Sequence, residues 1–492
     1  MNGTASGRHR GGSITGIALG SLLIGGLLGA IAGLDPILPD LLPPMGKRWF
    51  FRDIPLLPAA GIAVLALAAV LIVKWADRLP RRWGRYYLMA LIATIHTYSL
   101  PGVKELNHLV VGGFALLWLM DLMRRAEARL SSSPLQLLVA AWVGIMLLST
   151  TTGGGFLSLR SFVTEAKGFL LFLLVLHALE RWSDVRFFIG VLLVITTVSA
   201  LIGIGQEILF KATGDLYVGA VDSRTRGLLV IDGTPFGAWL RPPGFFGFSE
   251  VLSNALAVAS AMALALLIAP GRRAHRWWLA FGVLTMLTTL AATTSRGAML
   301  GFALAALAAL VLLRPRWLPP LALAVTIGTL AAFYVPSLRH TVDEYAFYLL
   351  RAGNIPERFQ YIQEVLPAGL QRHPILGNGL NMSERYNPNA VDYPVHNALL
   401  MAFGETGVIG LLVYTMILVY IIFRVQWGAW AVHDPERRIT LIAIGCGLVA
   451  LLTHLQTDPF YHLQMTWLFL PLVEAAVQIA ARAEHRSAEV LA

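Results

Sequence analysis

The chain has 492 residues, of which 57% are hydrophobic and 13% charged, with a mean hydropathy of +0.67. Soluble domains carry about 25% charged residues, and here apolar blocks of membrane-spanning length recur with no polar linker between them, which excludes a soluble globular protein. The net charge of +10 (38 Lys and Arg against 28 Asp and Glu) does not indicate a nucleic-acid partner, because the basic residues sit in short clusters between apolar blocks, where they set membrane orientation.

A bilayer core of about 30 Å takes about 20 helical residues per crossing. On that scale spans are predicted at 13–33, 54–74, 86–101, 107–122, 135–149, 165–180, 187–207, 249–269, 277–294, 297–313, 317–334, 396–423, 439–455 and 463–480. The fold class is therefore all-α, a polytopic bundle of about 12–14 transmembrane helices. Arg8, Arg10, the first apolar run and Ala30-Ile31-Ala32 resemble a cleaved secretory signal. That run exceeds the usual ~7–15 residues, so a retained anchor is expected.

Trp277 to Leu313 is apolar apart from Thr293-Thr294-Ser295-Arg296. One continuous helix there would run about 55 Å and bury an arginine in hydrocarbon. Two helices with a tight turn at Ser295-Arg296-Gly297 solve both problems. With the N-terminus in the cytoplasm, every second connection holds a basic cluster, and 22 of the 38 Lys and Arg fall on that side. The two long loops, 208–248 and 335–395, then face outward.

Cys446 is the only cysteine, so neither an intrachain disulfide nor a cysteine metal site can form. No P-loop or Rossmann glycine pattern is present, which argues against nucleotide-driven chemistry. The polar motifs gather on the outer face. The first loop ends Leu240-Arg241-Pro242-Pro243-Gly244-Phe245-Phe246-Gly247-Phe248; its prolines and glycines fix a turn, and Arg241 is either an interfacial arginine reaching for headgroups or a ligand for an anion. The second loop carries Arg358, then Arg372-His373-Pro374-Ile375-Leu376-Gly377-Asn378-Gly379, and closes on His396-Asn397. His396 opens the next span, where the helix dipole disfavours an imidazolium; a neutral imidazole there can serve as a general base. Together, Arg241, Arg296, Arg358 and His396 can form one outer-face site, with guanidinium groups for phosphate and an imidazole to take a hydroxyl proton.

These segments, with Thr294-Ser295-Arg296-Gly297-Ala298 and Gly404-Glu405-Thr406-Gly407-Val408-Ile409-Gly410, resemble the O-antigen ligase/polymerase superfamily in their order and on its outer face. The likeness covers about residues 240–412. It implies a GT-C-like membrane glycosyltransferase, inverting and metal-independent, with no cofactor. The donor it implies is a glycan on undecaprenyl diphosphate at the periplasmic face of the bacterial inner membrane. By motif position His396 matches the catalytic histidine, Arg296 the arginine of the turn and Arg241 the arginine heading the preceding span. Arg358 fits its segment less well, because Tyr361 stands where a tryptophan is common, and Phe248-Ser249-Glu250 departs from an Asn/Pro-rich pattern. On the same resemblance Arg358, His373, Gly377, Gly379, Asn397 and Glu405 are expected to contact substrate. If Arg241 touches only one phosphate, a lysine there is expected to be milder than one at Arg296.

The acceptor stays open: lipid A–core for a ligase, a second lipid-linked glycan for a polymerase, or protein hydroxyls for an O-oligosaccharyltransferase. Membrane lipids and a polysaccharide flippase or chain-length regulator are the expected partners. The expected division is 1–240 (N-terminal spans and most of the first long loop), 241–423 (catalytic region) and 424–492 (C-terminal spans). His454, Asp458 and His462 cluster on the last outer turn, but two histidines and one carboxylate at irregular spacing make a poor metal site. His177 and Glu474 lie inside spans and would suit a proton-coupled transporter, the rival class.

Overall fold

The protein is seen in a computed structural model that describes residues 83–96, 107, 110–118, 133–152, 155–214, 229–234, 237–246, 248–270, 276–335, 339–340, 363, 367, 371–381, 396–458 and 464–491. Its helices are α1 (Trp83–His96), α2 (Pro134–Ser149), α3 (Gly155–Ala178), α4 (Trp182–Thr213), α5 (Ser249–Ile268), α6 (Arg276–Ala292), α7 (Arg296–Leu313), α8 (Leu318–Tyr334), α9 (Ala398–Ala431), α10 (Pro435–Leu455) and α11 (Gln464–Leu491). Among the described residues six helical stretches are long and apolar enough to cross a membrane: Ser161–Ala178 of α3, with α4, α5, α7, α9 and α10; α2 and α6 are shorter apolar helices. This is the all-α polytopic bundle that hydropathy predicts. The predicted spans 13–33 and 54–74, and most of the two long loops, lie outside the described residues.

Several helices outrun their predicted spans. α3 begins at Gly155, α4 covers Trp182–Thr213, α9 continues to Ala431 and α11 to Leu491. Hydropathy marks only the apolar stretch, whereas helical hydrogen bonding continues into polar flanks until a cap stops it. α4 shows both stops. Asp184 accepts from the Arg181 backbone N–H at 2.9 Å at its start, and Gly214, with φ 74°, takes the left-handed turn at its end.

α5 is the centre of the bundle. Its sequence alternates Ala and Ser with Leu, Val and Met, so there is no bulky side to hold neighbours off, and it is buried on nearly every face. Small side chains let helix backbones approach closely in a membrane, where van der Waals contact replaces the hydrophobic drive. α6, α7 and α10 pack directly on it, α9 pairs with α2, α10 and α11, and α11 pairs with α3.

The helix ends sort by charge. Arg314 donates to the Ile268 carbonyl at 2.8 Å, Arg186 pairs with Glu436 at 2.8 Å and Arg85 with Asp184 at 2.6 Å, so one end of the bundle collects the basic clusters. The opposite end collects the N-termini of α5, α7 and α9 and the C-termini of α6 and α10.

A short hairpin, unforeseen from the sequence, lies at that second end. β1 (Val230–Thr234) and β2 (Gly237–Leu240) pair antiparallel, Val230 opposite Leu240 and Thr234 opposite Gly237. Glu207 of α4 accepts from the Leu240 N–H at 3.1 Å, and the Trp239 indole N–H donates to the Ala292 carbonyl at 2.9 Å. The hairpin is thus fastened to the ends of α4 and α6, and its last strand delivers Arg241.

Of the rival pair of intramembrane groups, Glu474 is locally paired, whereas the buried His177 Nε2 has no hydrogen-bond partner. Glu474 is fully buried, paired with Arg424 at 3.3 Å and accepting from Gln478 at 2.8 Å. His177 bonds the Leu173 carbonyl at 2.8 Å and rests against Trp118.

Candidate functional site

Arg241 follows β2 directly, and its side chain is only 18% exposed. Its Nε donates to the Thr293 carbonyl at 2.9 Å and its Nη2 pairs with Glu250 Oε1 at 2.6 Å. One guanidinium therefore ties the hairpin to the first turn of α5 and to the end of α6. The chain reverses at Thr293–Ser295, with Thr294 in the left-handed region (φ 55°). This turn lies earlier than the predicted Ser295-Arg296-Gly297, because Arg296 is already the first residue of α7. Arg296 is half-buried at that helix start.

From the turn a hydrogen-bonded chain runs to His396. Ser295 Oγ is 3.3 Å from His454 Nε2, which is 3.0 Å from Asp458 Oδ2, and Asp458 Oδ1 is 3.2 Å from His396 Nδ1. On the far side of the buried ring, Asn254 Nδ2 lies 2.9 Å from His454 Nδ1. An amide N–H facing Nδ1 makes that nitrogen an acceptor, so the His454 proton sits on Nε2 and is donated to Asp458. The other carboxylate oxygen takes the Nδ1–H of His396, which leaves the His396 Nε2 lone pair available. Exposure grades along the chain: His454 0%, Asp458 12%, His396 25%. Only the last can meet a substrate.

Burial works against the charge on Asp458, but hydrogen bonds from His396 and His454 outweigh it and hold the carboxyl below the usual carboxylate range. Asp458 is an anion at any physiological pH. A carboxylate so placed orients the imidazole and stabilises the imidazolium formed when Nε2 takes a proton.

Asn397 is the cap of α9. Its Oδ1 accepts from the Leu400 N–H at 3.0 Å, and its Nδ2 donates to the Gln456 carbonyl at 3.1 Å, which fastens the start of α9 to the turn carrying Asp458. Gly297 makes a similar fit from the α7 side: a Cβ there would overlap the Thr457 side chain and press on the His454 ring. Gly297→Ala is expected to destabilise the protein by about 1–3 kcal/mol and to cut activity by parting the α7 turn from residues 454–458. Gly328→Ala on α8, where a Cβ meets nothing within 4 Å, is the control. Thermal midpoints and turnover of the two variants, compared side by side, check this; equal behaviour would refute the tight fit.

His373, Gly377, Gly379 and Glu405 meet where a strap crosses α9. α9 bends at Gly407 (φ 68°, ψ −166°), and the segment from His373 to Asn381 lies in the bend. The Asn378 and Gly379 N–H groups donate to the Gly404 and Glu405 carbonyls at 3.0 and 3.1 Å, and Val408 N–H to the Pro374 carbonyl at 3.0 Å. Gly377 (φ 73°) and Gly407 meet backbone to backbone, with no room for a Cβ on either. The fully buried Glu405 carboxylate accepts from the Asn381 N–H at 2.8 Å, and Thr152 donates to the Gly377 carbonyl at 2.7 Å. Gly377, Gly379 and Glu405 thus hold the strap in place, with His373 half-buried at its start. Arg358 lies outside the described residues.

The structure therefore brings Arg241, the turn leading into Arg296, and His396 to one end of the bundle. Asp458, His454, Asn254, Ser295 and Glu250 complete the network and were not read from the sequence. The one local signal is the four-residue spacing of His454 and Asp458, weighed above only as a metal site; the pair bridges Ser295 to His396 instead. Among the described residues no group of three or more His, Cys, Asp or Glu is placed to hold a metal ion, and His462 lies outside them.

Residues 281–415 match the family model for O-antigen ligase. Over that stretch the chain is similar to the O-antigen ligase family. The match takes in Arg296, the strap and His396; Arg241, His454 and Asp458 lie outside its bounds and join the site through the fold. No curated protein matches the chain. The protein is thus an O-antigen ligase-like, multi-pass membrane enzyme.

Proposed function

We propose that this enzyme transfers a glycan from an undecaprenyl-diphosphate-linked donor to a hydroxyl acceptor at the periplasmic face of the inner membrane, with inversion and without a metal. The observation that carries this reading is the carboxylate-oriented His396, set at the bundle end where three helix N-termini and two arginines meet. Helix N-termini carry partial positive charge and unsatisfied N–H groups, which suit an anion. α7 is the clearest case: it begins with Arg296, has no acidic residue in its first turn and no side-chain cap on its N-terminus. A cation at that end costs about 0.3–1 kcal/mol, a penalty that a bound diphosphate would reverse.

In this mechanism His396 Nε2 removes the acceptor hydroxyl proton as the oxygen attacks the anomeric carbon. The bond from that carbon to the diphosphate oxygen breaks with its electron pair on the leaving diphosphate. Arg241, Arg296 and the α7 N-terminus offset the developing charge, the electrostatic term that is usually the largest in such a step. Asp458 balances the imidazolium. Arg358, His373, Gly377, Gly379, Asn397 and Glu405 shape the substrate-binding side, in the catalytic region 241–423.

Lipid A–core and a second lipid-linked glycan are the favoured acceptors. Purified protein, given lipid-diphosphate donor, excess chelator and each acceptor separately, is expected to elongate one of them, invert the anomeric centre and release undecaprenyl diphosphate. Transfer only to peptide serine would move the enzyme to the protein-glycosylating branch. Dependence on added Mg²⁺ or Mn²⁺ would overturn the metal-independent chemistry, and solute uptake without transfer would overturn the whole reading.

A further inference from the structure

We propose that His454 is a positioning residue for His396: by holding the Asp458 oxygen that His396 does not use, it fixes the carboxylate plane and limits how tightly the protonated base is held. The proposal rests on the reading of His396 as general base and concerns how that base is tuned.

The terminal torsion of an aspartate is broad and roughly two-fold, so a carboxylate held at one oxygen swings. Asp458 is held at both, by His396 at Oδ1 and by His454 at Oδ2. His454 is fixed in turn. It is fully buried, its Nδ1 faces the Asn254 amide nitrogen, and its Nε2 also meets Ser295 Oγ. Asn254 Oδ1 is buried with no hydrogen-bond partner. Turning the amide over would put that oxygen against Nδ1 and demand a second ring proton beside Asp458. The fold thus keeps an orphaned carbonyl in exchange for a neutral His454 with one N–H, aimed at the carboxylate. The Ser295 contact places the turn leading to Arg296 on the same anchor, so base and anion-binding helix end share one support.

The electrostatic consequence has a definite sign. When His396 accepts a proton at Nε2, Asp458 is its counter-charge. The His454 N–H draws carboxylate charge toward Oδ2 and so weakens the hold on the imidazolium. Without that donor the protonated form of His396 gains, and the base needs a higher pH to be free. The other charged groups on elements packed here are Arg241 after β2, Glu250 at the start of α5, Arg296 at the start of α7 and His396 ahead of α9; of these His396 hydrogen-bonds the Asp458 carboxylate.

The test uses full-length protein in lipid nanodiscs with ¹⁵N-labelled histidine, followed by NMR across pH, with the His396 and His454 signals assigned by their loss in His396→Gln and His454→Leu. His454 is expected to stay singly protonated at Nε2. In His454→Leu the His396 midpoint is expected to rise by about one pH unit, a tenfold change in proton affinity, with the acid limb of the transfer rate moving alike. His454→Gln, whose terminal N–H can reach Asp458, is expected to restore both. If the leucine variant fails to fold, His454→Asn, too short for Asp458, is expected to show the same rise. A doubly protonated His454 at neutral pH, or an unmoved His396 midpoint in a folded leucine or asparagine variant, overturns the proposal. The NMR titration needs no substrate, so it can succeed where the transfer assay fails, and the two readings fall separately.

Discussion

His396→Ala is expected to lower glycan transfer by about 10²–10⁴-fold, the range for loss of a general base, while the protein accumulates, inserts and melts as the parent does. The structure separates these outcomes. His396 lies ahead of α9 rather than within it, and the helix is capped by Asn397, whose bonds to Leu400 and Gln456 do not involve the histidine. Truncation removes its hydrogen bond to Asp458, and Asp458 keeps its bond from His454. Adding Asp458→Asn to the alanine variant is expected to cost little more, since the carboxylate acts through the imidazole and residues serving one step are strongly non-additive. Turnover of purified variants at matched thermal midpoints is the measurement. Near-normal transfer by His396→Ala would remove the base from the mechanism; a further large loss in the double variant would give Asp458 a separate role.

What could be read before the structure follows from what was local. Hydropathy located the helices because each span is a contiguous apolar run, and it missed their ends because capping depends on single polar groups such as Asp184 and Gly214. The motifs offered His396, Arg296 and Arg241 because each stands beside a helix start or turn visible in the chain. The groups that make the site work as a unit were invisible for a physical reason. Ser295 and His454 meet across 159 positions, Asn254 and His454 across 200, and His396 and Asp458 across 62. No local pattern reports contacts that only the packing of α5, α7, α9 and α10 creates. The hairpin was missed similarly: its four- and five-residue strands are too short to stand alone and hold through bonds to α4 and α6. Glu405 has a structural part that its motif does not reveal: its carboxylate accepts from the Asn381 N–H of the strap.

Arg241→Lys is expected to lower kcat/KM by on the order of 10²–10³-fold, the cost of removing a preorganised donor at a developing charge. A milder effect than at Arg296 is the expectation if Arg241 touches only one phosphate; the geometry of its protein contacts argues for a large one. Arg241 reaches two partners in different directions, the Thr293 carbonyl with Nε and Glu250 with Nη2, and a lysine has one ammonium at the end of a flexible stem. It can keep the ion pair with Glu250 or the bond that holds the α6–α7 turn, not the planar arrangement serving both. Losing the Thr293 bond slackens the turn that presents Arg296, so the lysine variant damages both arginines' roles at once. Glu250→Gln separates charge from support: Arg241 keeps its Thr293 anchor and loses a competing anion. That variant is expected to retain turnover and bind the diphosphate donor more tightly, seen as a lower KM. Arg241→Lys with near-parent kcat/KM would show that the guanidinium fork carries neither function. A Glu250→Gln variant as impaired as Arg241→Lys would show that the ion pair itself, rather than the arginine's hold on Thr293, builds the site.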